Sequence, residues 1–277
     1  MRAAGLIVTG DDFGLALPVN QAIEIAHREG ILSAASLMVG APAAADAVRR
    51  ARTLPGLAVG LHLTLVHGRP VLPSHSVPDL VDDDGRFATD LLRAGLRFFF
   101  HPRARRQIAA EIRAQFEAFR ASGLALDHVN AHCHMHMHPT VLGLIVAIGR
   151  DYGLKAVRIP YEPANGDPSL GAAALRAWAR LLRRQTALAG LKSNDAVLGL
   201  ADTGAMTEAR VLGLIERMPD GVSEMYFHPA TERTAELEQE NPGYAYEGEL
   251  AALLSPKVKA ALVARGLRPI AFRDLGR

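Results

Sequence analysis

The sequence predicts an α/β protein, a distorted (β/α) barrel of TIM-barrel type with seven or eight parallel strands. Three observations predict it. Short apolar runs alternate with longer stretches of helical periodicity along the whole chain. Those runs are near-continuous, as in strands covered on both faces of a parallel sheet. The polar residues that stand out gather at the C-terminal ends of the runs, where the loops of such a barrel converge.

The first strand is "GLIVTG" (5–10), followed by a helix from Pro18 to about Gly30. "AASLMVG" (34–40) is the second strand and "PAAADAVRRARTL" (42–54) the second helix. "LAVGLHL" (57–63) is the third strand, and the amphipathic pattern "IAAEIRAQFEAFRAS" (108–122) the helix that leads to strand "LDHVNAH" (126–132). Residues 140–152 read as helix, "KAVRIP" (155–160) as extended, 170–190 as helix and "AVLGL" (196–200) as extended. A helix near 206–217, the strand "VSEMYFH" (222–228), a helix near 256–265 and "RPIAF" (268–272) complete the series. The Pro- and Gly-rich stretch 68–87 and the polar stretch 229–249 read as long loops after strands.

Composition narrows the classes. At 277 residues the chain exceeds a typical domain, yet barrels of about 250 residues form one unit, so 1–277 is read as a single domain. It is 49% hydrophobic, enough for a full core, and its net charge of +2 argues against a nucleic-acid partner. The single cysteine, Cys133, excludes an intrachain disulfide and fits a reducing compartment. Met1 to Val8 runs directly into an apolar strand with no signal-peptide pattern. No window approaches 18 uninterrupted apolar residues. The expectation is a cytoplasmic protein.

The strand ends supply Asp11 and Asp12, His62, His132, Arg158 and His228. Two adjacent carboxylates at a strand end point in different directions, so one can bind a cation while the other serves as a base. The plainer reading, that one of them caps the helix after Phe13-Gly14, stays open. His62 is either a ligand or a satisfied core histidine. "NAHCHMHMHP" (130–139) places His132, His134, His136 and His138 at alternate positions. In extended chain, alternate residues sit about 6.6 Å apart at about 3.3 Å per residue. At most two such imidazoles can share an ion whose Zn–N distance is about 2.0–2.1 Å. The remainder orient, contact substrate or support the loop, unless the stretch is only a solvated His-rich loop. Pro139 opens a helix at its favoured first position, with His138 at the entry.

One carboxylate and two imidazoles make a three-ligand set with open positions, the pattern of a catalytic metal site. Imidazoles favour Zn2+ or another transition ion, while carboxylate and water also suit Mg2+. An unligated carboxylate beside such an ion is a natural base, which describes hydrolysis of an amide or ester.

"LIVTGDDFG" (6–14), "VGLHLTL" (59–65) and "LDHVNAHCHMHMHP" (126–139), in that order and spacing, resemble the YdjC-like carbohydrate deacetylases, which include chitooligosaccharide deacetylases with a β/α-barrel fold. The resemblance is strong from residue 6 to about 160 and weaker to the end. "HREGILSAASLMVGAPAAADAV" (27–48) and "RFFFHPRARRQIAAEIRAQFEAF" (97–119) look closest to the hopanoid-biosynthesis branch, associated with deacetylating an N-acetylglucosaminyl group on a bacteriohopane lipid. The resemblance implies one divalent ion held by Asp12, His62 and His132, with His134 as reserve ligand. It also implies Asp11 as base, Arg158 of "RIPY" as the arginine that steers it, and His228 as proton donor. His134, His136 and Tyr161 are placed as substrate contacts. Cys133 departs from the family pattern and, by alternation, is expected to point away from the metal and to be unreactive.

The expected function is a metal-dependent N-deacetylase acting on an N-acetylglucosamine-type sugar, lipid-linked in hopanoid biosynthesis. The alternatives are a deacetylase of soluble chitooligosaccharides, another barrel hydrolase such as an esterase or phosphoesterase, and a His-rich metal-binding protein without activity. A homodimer is expected. "RAGLRFFFHPRARR" (93–106) and "LRAWARLLRRQ" (175–185) combine aromatic and leucine residues with arginines, which predicts peripheral contact with the inner membrane face. Core or dimer packing of the same residues is the alternative.

Overall fold

A computed structural model describes residues 5–163 and 169–276. The expectation for Met1–Ala4 lies outside the described residues. The strands are β1 (Gly5–Phe13), β2 (Ala34–Leu37), β3 (Ala58–Leu63), β4 (Leu126–Ala131), β5 (Ala196–Leu198), β6 (Val222–Phe227) and β7 (Pro269–Ile270). They form one parallel sheet in the order β4-β3-β2-β1-β6-β5. β7 joins the foot of β1 through Leu6 and Ile7.

The sheet curls into a distorted barrel, and residues 155–161 span the interval between β4 and β5. There Val129 N donates to Ala156 O, Arg158 N to Val129 O, Val157 N to Lys192 O and Val197 N to Tyr161 O, at 2.7–3.1 Å. "KAVRIP" is therefore extended, as expected, but it pairs only through isolated bridges and is not a regular strand. Pro160 offers no N–H for a ladder. The described chain thus carries seven strands, one of them two residues long, and not eight repeated units.

The helices are α1 (Leu17–Glu29), α2 (Ala44–Arg52), α3 (Leu91–Phe100), α4 (Pro102–Ala121), α5 (Pro139–Gly149), α6 (Leu170–Leu188), α7 (Glu208–Glu216), α8 (Ala235–Glu240), α9 (Tyr246–Leu254) and α10 (Pro256–Ala264). α4 buries Ile108, Ile112, Phe116 and Phe119, the spacing that predicted it, but it begins at Pro102 and not near 108. Pro139 opens α5 with His138 at the cap, as expected. Three helices were not anticipated. α3 is capped by Asp90, whose side chain accepts from Arg93 N at 2.9 Å. α8 lies inside the stretch read as a loop, and α9 begins within it and runs past its end.

Strand parity explains the barrel interior. Ile7, Ala34, Ala58, Ala156 and Val222 pack together with Phe272 and Leu275, which follow β7. Two residues further along the same strands come Thr9, Ser36, Arg158 and Glu224, all fully buried. The interior is therefore apolar at the foot and polar toward the C-terminal ends. Gly60 is required here, because a Cβ would lie 2.5 Å from the His128 ring. The alternate residues, among them Leu6, Val8 and Leu61, pack outward with helix residues such as Ile23 and Ile112 in the main core.

Candidate metal centre

The site begins with an irregularity in β1. Its register with β2 shifts between Gly10 and Phe13, and Asp12 takes a left-handed φ of 59°, a region that aspartate tolerates better than most residues. A bulge re-aims neighbouring side chains, and here it sends two consecutive carboxylates to different partners. Neither caps α1, whose cap position is Ala16.

Asp12 faces the histidines. Its Oδ1 lies 3.2 Å from His62 Nε2 and 3.1 Å from His132 Nδ1. Among the described residues these three form a buried cluster whose donor atoms all lie within 4.8 Å of one another. Such spacing suits ligands at about 2.0–2.2 Å from one shared ion. The side chains fit that role on a second count. His62 Nδ1 is 2.7 Å from Asn130 Oδ1, while His62 Nε2 is buried with no hydrogen-bond partner. A buried nitrogen with a free lone pair, beside a carboxylate and a second imidazole, is a ligand position. The cluster is a site for one divalent ion. Burial alone would raise the Asp12 carboxyl, but His132 outweighs it and holds the group well below the usual range. His132 is pushed the other way: burial lowers it, and Asp12 raises it well above an ordinary histidine.

Asp11 faces the barrel interior. Arg158 grips it with both ends of the guanidinium, Nη1 to Oδ2 at 2.5 Å and Nη2 to Oδ1 at 3.1 Å, and Asn130 Nδ2 adds a third donor at 3.2 Å. Burial favours the neutral acid, yet Arg158, with His62 and His228, holds Asp11 far below the normal carboxylate range. Arg158 is in turn held by Glu224 Oε1, at 3.0 Å from Nε and 2.7 Å from Nη2, and Thr9 Oγ1 donates to the same oxygen at 2.6 Å. The Tyr226 ring lies 4.9 Å from the guanidinium carbon. Asn130 and Glu224 were not singled out from sequence. Parity was the available signal, since Asn130 precedes His132, and Glu224 precedes Tyr226 and His228, at two-residue steps.

His228 is buried at the end of β6. Its backbone N donates to Glu249 Oε2 at 2.5 Å, and its Nδ1 has no partner. The ring meets Tyr226 at 5.6 Å and Tyr244 at 5.0 Å. Arg158, Asp11, Asp12, His62, His132 and His228 therefore come together as expected.

The His-rich run departs from expectation. Extension ends at Ala131, and His132–Met137 form a tight turn in which Cys133 and His134 are left-handed, with φ of 50° and 53°. Alternation therefore says nothing beyond His132. Cys133 does not point away from the ligand. Desolvation would raise its thiol, but His132 and His67 outweigh that and hold it down to about 6. His134 Nε2 lies 3.2 Å from Tyr226 OH, which is 2.5 Å from Thr203 Oγ1. His136 is fully buried, and its Nδ1 accepts from Ala131 N at 3.0 Å. It braces the turn, which leaves no exposed face for a substrate. Tyr161 is taken up by α6: its hydroxyl accepts from Arg180 at 2.9 Å, and Arg180 and Arg183 lie over its ring. A cavity of about 180 Å³ opens beside His132, lined among others by Met38, His67, Arg69, Arg86 and Glu240.

Residues 5–264 match the model of the YdjC-like protein family. The chain belongs to that family. This YdjC-like chain is 32% identical over 269 residues to a carbohydrate deacetylase of Geobacillus stearothermophilus, covering 97% of the chain and 96% of the relative. It is 30% identical over 274 residues to a chitooligosaccharide deacetylase of Serratia marcescens, covering 98% of each. A carbohydrate deacetylase of Brevibacillus brevis is 40% identical over 156 residues, which span 56% of this chain and 59% of that protein. The crystal structure of a proposed cellobiose-phosphate cleavage protein from Enterococcus faecalis V583 superposes with a TM-score of 0.80 at 27% identity, covering 100% of both chains. Fold and site together are those of a metal-dependent hydrolase.

Proposed function

We propose that this YdjC-like protein is an N-deacetylase that hydrolyses the acetamide of an N-acetylated amino sugar, releasing acetate and a free amine. The observation that carries the reading is the pair of adjacent carboxylates with separate partners, Asp12 on two imidazoles and Asp11 on Arg158. The Geobacillus and Serratia relatives, named as deacetylases across nearly their full length, support it.

Asp12, His62 and His132 would hold the divalent ion, which would supply a Lewis acid able to polarise a carbonyl and acidify water. The protein side chains do the rest. Asp11, kept ionised by Arg158, accepts the proton of the attacking water. Clamping lowers its basicity but fixes its charge and lone-pair direction, so it works through position. Arg158, itself held by Glu224, keeps that geometry as a positioning residue. His228, at the same end of the neighbouring strand β6 and near both aspartates, gives a proton to the departing amine. The cavity beside His132 receives the sugar.

Chitooligosaccharides are the substrate class that the Serratia relative's name favours. A lipid-borne amino sugar, as in the hopanoid branch, is the finer reading, supported by the wording of 27–48 and 97–119. Acetate release from chitobiose and from O-acetylated sugars, with and without added metal, tests the activity. Release from the O-acetyl panel alone would replace the N-deacetylase with an esterase.

A further inference from the structure

α3 turns the wrong face outward for a helix of a soluble barrel. Leu92, Leu96, Phe99 and Phe100 are 74%, 51%, 54% and 68% exposed, at spacings of four, three and one residues that place them on one stripe. Beneath them Ala94 and Phe98 are buried. α6 repeats the arrangement, with Leu170, Leu181 and Leu188 exposed and Ala179 and Leu182 buried. Both helices rest on the end of the metal-site turn. Phe98 and Phe99 pack edge-on against His138 at 6.2 and 6.1 Å, and the Trp178 N–H donates to Met137 O at 2.9 Å.

Charge accompanies the apolar stripes. Residues 91–110 contain Arg93, Arg97, Arg103, Arg105 and Arg106 and no acidic residue; residues 169–193 contain Arg176, Arg180, Arg183, Arg184 and Lys192 and no acidic residue. Arg93, Arg103, Arg105 and Arg106 are exposed, and among the described residues none of them is in an ion pair. No helix of the described residues is long and apolar enough to cross a membrane.

We propose that α3 with the first turn of α4, together with α6, docks the protein on an anionic phospholipid bilayer and brings the metal site to a lipid-borne amino sugar. The inference rests on the deacetylase reading for its substrate but not for its surface. Leucine and phenylalanine side chains enter the boundary between headgroups and acyl chains, while unpaired arginines meet lipid phosphates, the combination that holds interfacial helices. A polyanion such as nucleic acid would satisfy the arginines and leave the stripes in water. A second copy related by two-fold symmetry would bury the stripes but bring the same acid-free, arginine-rich faces together. The bilayer satisfies both features at once.

The test is co-sedimentation of the full chain with vesicles of phosphatidylcholine, with and without phosphatidylglycerol, at low and high salt. Binding is expected to rise about tenfold or more with the anionic lipid and to fall with salt. Leu92→Ser with Phe99→Ser, and separately Arg105→Glu with Arg106→Glu, should each release the protein. Both variants should keep wild-type deacetylation of soluble chitobiose, because all four side chains are exposed. Absence of binding to any vesicle overturns the proposal, as does binding indifferent to both variants. A dimer that Phe99→Ser dissociates would assign the face to a second copy and overturn it too. Failure of the wild type to deacetylate any amino sugar would sink the activity reading alone, whatever the vesicles show.

Discussion

His62 Nδ1 donates to Asn130 Oδ1 at 2.7 Å, and this contact decides which nitrogen of His62 is free for a metal. The direction follows from Asn130's other partners. Its Nδ2 faces Asp11 Oδ1 and Ser36 Oγ, at 3.2 and 2.9 Å. The Asp11 carboxylate can only accept, so the amide nitrogen must be on that side. Ser36 Oγ then donates to His128 Nε2 at 3.1 Å, and His128 Nδ1 donates to Asp127 Oδ2 at 2.9 Å. The series ends at the foot of the barrel, where Arg273 N donates to Asp127 Oδ1 at 2.9 Å. Asn130→Ala is expected to weaken metal binding by roughly 10–100-fold, as loss of an outer partner to a ligating histidine does. A metal titration on the folded variant checks it, and unchanged affinity would remove Asn130 from this role.

The two aspartates should fail differently. Asp12→Asn is expected to lose metal and activity together, because an amide is a poorer ligand than a carboxylate. Asp11→Asn should keep the metal and lose turnover by about 10²–10⁴-fold, the usual contribution of a general base. Elemental analysis beside acetate release distinguishes them. Equal metal content in both variants, or an active Asp11→Asn, would show that the roles are wrongly assigned.

These roles were legible to different depths in the sequence. Apolar runs that end in polar residues at the C-terminal side, where the loops of a barrel converge, pointed to Asp11, Asp12, His62, His132 and His228. The left-handed φ of Asp12 that separates the two carboxylates leaves no comparable mark. The His-rich run misled because its alternation imitates a strand, while the left-handed pair Cys133 and His134 turns the chain at once. α3 escaped notice because its exposed stripe is apolar, and α8 because its residues are mostly polar. Asn130 and Glu224 were readable by parity, but only once the interior face was known.

His228 should matter for amides more than for activated esters. An amine leaves poorly unless it is protonated, whereas a nitrophenolate leaves unaided. His228→Ala is expected to lose most N-deacetylation while keeping much of the hydrolysis of nitrophenyl acetate. Rates on both substrates with the same protein preparation decide the point, and equal losses would indicate that the ring serves binding or structure.

Acid should destabilise the metal-free protein through its buried neutral histidines before its aspartates protonate. Burial, reinforced by the positive Arg158, holds His134 down to about 3, and burial with His134 keeps His136 well below the ordinary value. In the unfolded chain both titrate near 6.5. Between those limits the unfolded state binds the extra protons, so stability rises with pH and is lost as pH falls below about 6.5. Each histidine contributes a slope of at most about 1.4 kcal/mol per pH unit. His132, raised by Asp12, adds no slope below 6.5, because it is protonated in both states there. Asp11 and Asp12 act in the same direction as His134 but only from about 4 downward, where the unfolded carboxylates begin to protonate. The histidines therefore set the falling slope of the window between about pH 4.5 and 6.5, opposed there by Glu162 and Glu249, whose carboxyls burial raises above the ordinary value. Urea unfolding of chelated protein across it should give a falling stability that His134→Gln makes shallower. A variant that retains the full wild-type slope would mean that His134 does not stay neutral in the fold.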